Sequence, residues 1–474
     1  MMTFVARASL LTLGLATACS ARIALRASAP TPDRAALLAR IDSIAEDALL
    51  TIPASSAAVA VVRGTDTLVM RGYGLADREA GRRASASTVY QIGSITKQAT
   101  AASIMRLVER GLVRLDDDVS KYLPSYPMRG RRVSVRQLLN HTSGLPNMTS
   151  SPGWRPLWDQ EPTPDSLINL VARDSFTFEP GTHYVYSNTN YIMLGMIIER
   201  MSGKSYADFV ADEFFKPLGL ARTGACPGRV RDTTFAVGYG FVNGAYHRSR
   251  FVSTQSLFST GGLCSTAQEY VVWQRALLGG KVLGPRSLEL MTTPDTLVNG
   301  MPIKVGFGFF TEQMGTRPMI LHTGSMDGFT TSGIYFPAET LSVNVFTNTD
   351  VRGPEATGMN IARAVLGIPL VPRSPRLPAV AMTPADRDAL LGTYDLVCPD
   401  GRLLPLRVYL AGDTLMAAAQ GLGPGAMPLL HIGNQRFRAT IDPTHSFAFS
   451  TENGVVSRVR WVQGSTSMEG RRRP

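Results

Sequence analysis

Five prolines, Pro369, Pro372, Pro375, Pro378 and Pro384, crowd one short stretch of the chain. Proline has no amide proton to donate and pushes the preceding residue out of the helical region. Neither a helix nor a central strand can run through such a stretch, so residues 371–384 read as an extended linker. The pattern beyond it is β-like. Phe447 and Phe449 alternate with polar neighbours. Val456, Arg458 and Arg460 alternate with Ser457, Val459 and Trp461, and Asn453-Gly454 just before them is a hairpin signal. Residues 385–474 therefore read as a small antiparallel β domain. The longer part, 35–370, mixes both periodicities. Ala57–Val62 and Thr67–Met70 predict strands around a turn at Gly64-Thr65-Asp66. A helix is expected from Ser94 to Arg110, stopped by Gly111.

The first eighteen residues read as a signal peptide. Arg7 gives a positive start, Ala8 to Ala16 a short apolar run, and Ala16-Thr17-Ala18 the small residues of a cleavage site. A run of about nine is far below the ~20 residues that span a bilayer. Cys19 follows at once. The arrangement resembles a bacterial lipoprotein signal, which implies a lipid anchor on Cys19 and a periplasmic or outer-envelope protein. Ordinary cleavage before an incidental cysteine is the alternative. In an exported chain Cys226 and Cys264 can form a disulfide or stay as two buried thiols.

Composition excludes other classes. With 44% hydrophobic and 18% charged residues the chain is a folded globular protein. The net charge of +11 raises nucleic acid as a partner, but the positive residues are scattered. The densest internal run, Arg129, Arg131, Arg132 and Arg136, has no interleaved aromatics and reads as a solvated basic face. Of 48 cationic residues six are lysine and 42 arginine.

One of the six lysines stands in Ser94-Ile95-Thr96-Lys97, at the start of the expected helix. Residues three apart share a helix face. A serine in the first turn sits beside free amides and the positive end of the helix dipole, which suits a nucleophile and an oxyanion together. Lysine acts as a base only when burial or a neighbouring cation lowers its pKa. Ile92, Ile95, Ala99 and Ile104 provide apolar surroundings.

Further fragments follow in order. They are Gly72-Tyr73-Gly74, Leu138-Leu139-Asn140-His141-Thr142-Ser143-Gly144-Leu145-Pro146, Glu179-Pro180-Gly181, Tyr186-Ser187-Asn188, Pro217-Leu218-Gly219-Leu220, Gly261-Gly262-Leu263 and His322-Thr323-Gly324. With Ser94-x-x-Lys97 they resemble the serine β-lactamase and penicillin-binding-protein family, in the branch of class C enzymes, DD-peptidases and esterases. The resemblance covers about 35–370. It implies an α/β (α+β) body, an antiparallel sheet flanked by helices and joined to a helical lobe, with the site in the cleft between. The terminal β domain resembles the small barrel-like domains appended to some relatives.

The resemblance also implies roles. Ser94 is the acylated nucleophile, and Lys97 and Tyr186 carry protons, with the choice of general base between them open. Asn188 orients Lys97 and the substrate. His322, Thr323 and Gly324 form the strand beside the scissile bond, and the amides of Ser94 and Ser325 form the oxyanion hole. His141 is expected to fix its loop, Asp116–Asp118 to be a solvated turn, and Trp154 and Trp158 to rim the pocket or pack. Many relatives carry lysine where this chain has His322. A histidine there is charged only part of the time near neutral pH and shifts the expectation from a β-lactamase towards a peptidase, amidase or esterase. The substrate is then a small molecule or peptide, peptidoglycan fragments included. A β-lactamase and a catalytically weak penicillin sensor are the alternatives. No class A E-x-x-L-N element, P-loop, nucleophile elbow or zinc motif is present, so no metal or organic cofactor is implied.

Overall fold

A two-residue turn, Gly64-Thr65, closes the first hairpin of the computed structural model, with Gly64 at φ +55°. The structure describes residues 33–473 apart from 52–53, 229–231, 243–244, 352, 372–379, 399–400, 413, 420–425, 440–444 and 464–465. The expected signal peptide and Cys19 lie outside the described residues, as does most of the proline linker. The hairpin strands are longer than expected, Ser56–Arg63 and Asp66–Asp77, and Asp66 is already in the second.

They belong to a seven-stranded antiparallel sheet ordered Arg82–Arg83, Asp66–Asp77, Ser56–Arg63, Leu341–Thr347, Phe329–Phe336, Arg317–Met326, Phe310–Met314. The three central strands are buried on both faces, and Ser56–Arg63 accordingly reads as a continuous apolar run rather than an alternation. Helices Arg34–Thr51 and Pro354–Leu366 cover one face, around Ile41, Val59, Val343 and Ile361. The larger core lies on the other face, around helices Thr96–Glu109, Asn188–Ser202 and Ala267–Leu278.

The terminal β domain is a closed eight-stranded antiparallel barrel running from Gly392–Val397 to Thr466–Arg472. Asn453 and Gly454, at φ +53° and +80°, make the expected tight turn. One expectation fails beside it. A β-bulge between Ser450 and Thr451 and their partners shifts the register. Val456 therefore points inward with Val459 and Trp461, while Arg458 and Arg460 point outward. Pro384, assigned to the linker, instead opens a short helix, Pro384–Asp388, whose cap Thr383 accepts from the Asp386 amide.

Cys226 and Cys264 form a disulfide with Cα atoms 5.0 Å apart. Asp116–Asp118 is more than a solvated turn. Asp117 bonds Lys121 and Tyr122, and Asp118 caps the following turn through Ser120. The basic run is likewise tied down locally, Arg131 to Glu179 and Arg136 to Asp116 and Asp295.

Candidate active site

Ser94 lies in a single 3-10 turn, Gly93–Ile95, that runs into helix Thr96–Glu109, with Gly111 at φ +70° just past its end. The turn is stitched in place from both sides. The Ile92 amide donates to Leu263 O at 3.0 Å, and the Leu263 amide donates to Thr96 Oγ1 at 3.2 Å. Thr331 Oγ1 donates to Ile92 O at 3.0 Å. Two glycines permit this closeness. A Cβ on Gly324 would meet Ile92 O at 2.0 Å, and a Cβ on Gly93, itself at φ +51°, would stand 3.0 Å from the Ser325 amide nitrogen. The turn carrying Ser94 thus presses against Gly324-Ser325 of strand Arg317–Met326, the last but one in the sheet.

That strand is covered only in part. Phe310–Met314 pairs with Arg317 to Leu321 and stops there. From His322 to Met326 the outer edge carries no strand partner among the described residues. An extended ligand backbone can add to such an edge. Thr323 turns its side chain to the other face, into an open cavity of about 300 Å³ lined by Phe310, Met319, Leu321 and Met359.

Lys97 is fully buried. Its Nζ stands 3.1 Å from Ser94 Oγ, 2.9 Å from Asn188 Oδ1 and 2.8 Å from Thr260 O. Among the described residues it pairs with no carboxylate, and burial pushes its ammonium well below the usual lysine range. The Tyr186 and Tyr191 rings flank Nζ at 4.8 and 5.5 Å from their centroids.

Asn188 opens helix Asn188–Ser202, but Ser187 takes the cap position, which leaves the Asn188 side chain for the site. Its Oδ1 accepts from both Lys97 and Thr260 Oγ1, the latter at 2.6 Å, and its Nδ2 donates to Thr149 Oγ1 at 3.1 Å. Thr260 reaches this point through a kink. Phe258, at φ +40° and ψ −129°, breaks helix Thr254–Gly261. The Ser259 and Thr260 carbonyls then turn to helix Thr96–Glu109, where Thr100 Oγ1 and Lys97 meet them. Such strain concentrates at functional sites.

Tyr186 stacks on His141, with centroids 4.3 Å apart and planes at 29°. His141 is buried, stands at φ +60°, and accepts from the Ser187 amide through Nδ1. Burial and the charge of Lys97 push it well below the usual histidine range. His322 completes this wall, 6.4 Å from the Tyr186 ring and 5.0 Å from that of Phe310. Its Nδ1 lies 2.7 Å from Thr323 O. A carbonyl only accepts, so Nδ1 carries the proton. Burial, reinforced by the charge of Lys97, lowers its pKa to about 3. The partly charged histidine expected from sequence is therefore corrected to a neutral one. Trp154 and Trp158 pack edge to face at 5.1 Å, against Val252, Leu257 and Met326.

Ser94, Lys97, Tyr186, Asn188, His322, Gly324 and the Ser325 backbone converge. Sequence reasoning missed Thr149, Thr260 and Gly93. Gly93 and Thr260 adjoin quoted fragments, but their role depends on contacts across more than a hundred residues.

A family model described as Beta-lactamase matches residues 46–368. A penicillin-binding protein of Bacillus subtilis (strain 168) is 29% identical over 299 residues, covering 59% of this chain. The chain spans 64% of that relative, less than two thirds of its length. A D-aminopeptidase of Brucella ovis is 27% identical over 385 residues, covering 78% of this chain and 69% of the relative. The solved structure of the octameric penicillin-binding protein homologue from Pyrococcus abyssi superposes with a TM-score of 0.64 at 23% identity, over 91% of this chain and 99% of that one. The last likeness is one of fold and extends over the terminal barrel.

Proposed function

The chain belongs to the β-lactamase family, and from that premise we propose that it is an exported serine hydrolase that forms an ester on Ser94 and passes the acyl group to water. The observation that carries this reading is Lys97: buried, without a carboxylate partner among the described residues, and 3.1 Å from Ser94 Oγ. A lysine in those surroundings gives up its proton more readily than an exposed one and can accept the one leaving Ser94. The Ser94 and Ser325 amides receive the oxyanion. Tyr186, seated on His141, passes a proton to the leaving group and then activates the deacylating water.

The favoured substrates are D-amino-acid peptides and small amides or esters. A neutral His322 offers a hydrogen-bonding nitrogen rather than the fixed cation that grips a carboxylate, which supports this class over β-lactams. The likeness to a D-aminopeptidase supports it too. Cys19, in this reading, bears the lipid that anchors the exported protein.

Labelling by a fluorophosphonate or a fluorescent penicillin tests the nucleophile. Wild type should label and Ser94→Ala should not, and equal labelling of both would sink the assignment. Parallel turnover of nitrocefin, a D-alanyl-D-alanine peptide, a D-amino-acid amide and p-nitrophenyl acetate tests the substrate class. A dominant nitrocefin rate would overturn it. Mass spectrometry of the mature N-terminus should find a diacylglyceryl group on Cys19, and a bare terminus would refute the anchor.

A further inference from the structure

Thr260 reaches Lys97 by two routes, one direct and one through Asn188. Its carbonyl accepts from Nζ at 2.8 Å, and its hydroxyl donates to Asn188 Oδ1 at 2.6 Å, the atom that takes a second Nζ contact at 2.9 Å. The far end of the same amide is held by Thr149, which accepts from Nδ2 at 3.1 Å. We propose that the Thr260 hydroxyl is a positioning group: it fixes which end of the Asn188 amide faces Lys97 and thereby keeps the amine lone pair on Ser94. This rests on the reading that Lys97 takes the Ser94 proton.

The argument is a count of protons and lone pairs. A neutral amine has two N–H bonds and one lone pair. Thr260 O and Asn188 Oδ1 can only accept, so each takes one N–H. The third contact, Ser94 Oγ, then faces the lone pair, and the serine hydroxyl donates into it. An asparagine amide turned over has almost the same shape. In that state Nδ2 would face Nζ, the lone pair would be drawn to it, and Ser94 would lose its base. The Thr260 hydroxyl opposes the turn. It is buried, and Asn188 Oδ1 is the acceptor of its proton. Turning the amide would strand that proton, which disfavours the turned state about tenfold or more.

The test compares Thr260→Val and Thr260→Ser with the wild-type full chain, reading the second-order rate of fluorophosphonate labelling from about pH 5 to 9. The serine variant should reproduce the wild-type profile. The valine variant keeps the carbonyl and the shape but removes the roughly tenfold bias against the turned amide, so the two orientations become comparable and the plateau should fall about twofold. Its acid limb should move to lower pH, because an amide that presents N–H no longer accepts from the ammonium. A merely loosened core would let water in and return Lys97 towards its ordinary pKa, moving the limb to higher pH. That result, or an unchanged profile, overturns the proposal. Thr260→Ala also removes the hydroxyl and keeps the carbonyl, should show the same lowered plateau and limb, and decides the matter if Thr260→Val does not fold. If wild type fails to label, or Ser94→Ala labels equally, the hydrolase reading falls and takes this one with it. Normal wild-type labelling with an unchanged valine profile removes only the role of Thr260.

Discussion

Gly324→Ala would drive a methyl group into the seam between strand Arg317–Met326 and the turn that carries Ser94. Its Cβ would stand 2.0 Å from Ile92 O and 2.4 Å from Thr331 Oγ1. Carbon and oxygen in ordinary contact are about 3.3 Å apart, so strand and turn must part by roughly 1 Å. Neither obstacle yields freely: one is backbone two residues before Ser94, and the other is the hydroxyl bonded to that backbone. A misplacement of about 1 Å between reacting groups costs on the order of a hundredfold in rate. Overpacking costs about 1–3 kcal/mol in stability. The expected result is a folded protein that melts a few degrees lower and labels with fluorophosphonate about a hundredfold more slowly. Gly72→Ala is the control. Its Cβ would meet Ala84 C and Ser85 N at 2.3 Å, an equal clash on a strand separated from Arg317–Met326 by three others. It should lower the melting temperature without slowing labelling. Labelling of the Gly324 variant within about twofold of wild type would refute the claim that this seam sets the oxyanion geometry.

Other consequences can be checked more briefly. His322 holds a folded pKa of about 3 against an ordinary 6.5, so between these values the unfolded chain takes up a proton that the folded one refuses. Stability should fall as the pH drops through that window, by up to about 1.4 kcal/mol per pH unit for one such group. His322→Gln should flatten the slope in pH-dependent melting curves, and an unaltered slope would refute the neutral assignment. The disulfide closes a 38-residue separation, which on the chain-entropy model contributes ~4 kcal/mol. Reduction should lower the melting temperature by several degrees, and Cys226→Ser should make the protein insensitive to reductant. A melting temperature indifferent to reductant in wild type would show that the bridge contributes no stability.

Much of the site is local and therefore legible. Ser94 and Lys97 share one helix turn, and Tyr186 and Asn188 lie two residues apart. What the sequence conceals is made by contact between distant segments. Nothing near Cys226 points to Cys264, yet the strands Gly224–Ala225 and Leu263–Thr266 are neighbours in one small sheet. His322 reads as an ordinary titrating histidine until burial and Lys97 are known. Thr260 looks like one more threonine because the kink at Phe258 leaves no mark in composition. Alternation misassigned Val456 for a related reason: a bulge belongs to a pair of strands, and a single strand does not reveal it.

The scarcity of lysine takes on meaning against this background. Arginine, the cation used almost everywhere else in the chain, stays protonated in any protein environment. At position 97 it could neutralise charge but could not accept a proton from Ser94. Lysine can, provided its surroundings disfavour the ammonium without removing every hydrogen-bond partner. The fold meets both demands together. Burial disfavours the charged form, while Asn188 Oδ1 and Thr260 O occupy two directions around Nζ. A carboxylate in either place would stabilise the ammonium and raise the pKa again. The amide and the carbonyl are neutral acceptors, which orient the amine without holding its proton. The strand that follows Thr260 carries Cys264 and brackets the nucleophile turn through Leu263. The same short stretch therefore holds Lys97, braces the turn that carries Ser94 and is tied by a disulfide to its neighbour.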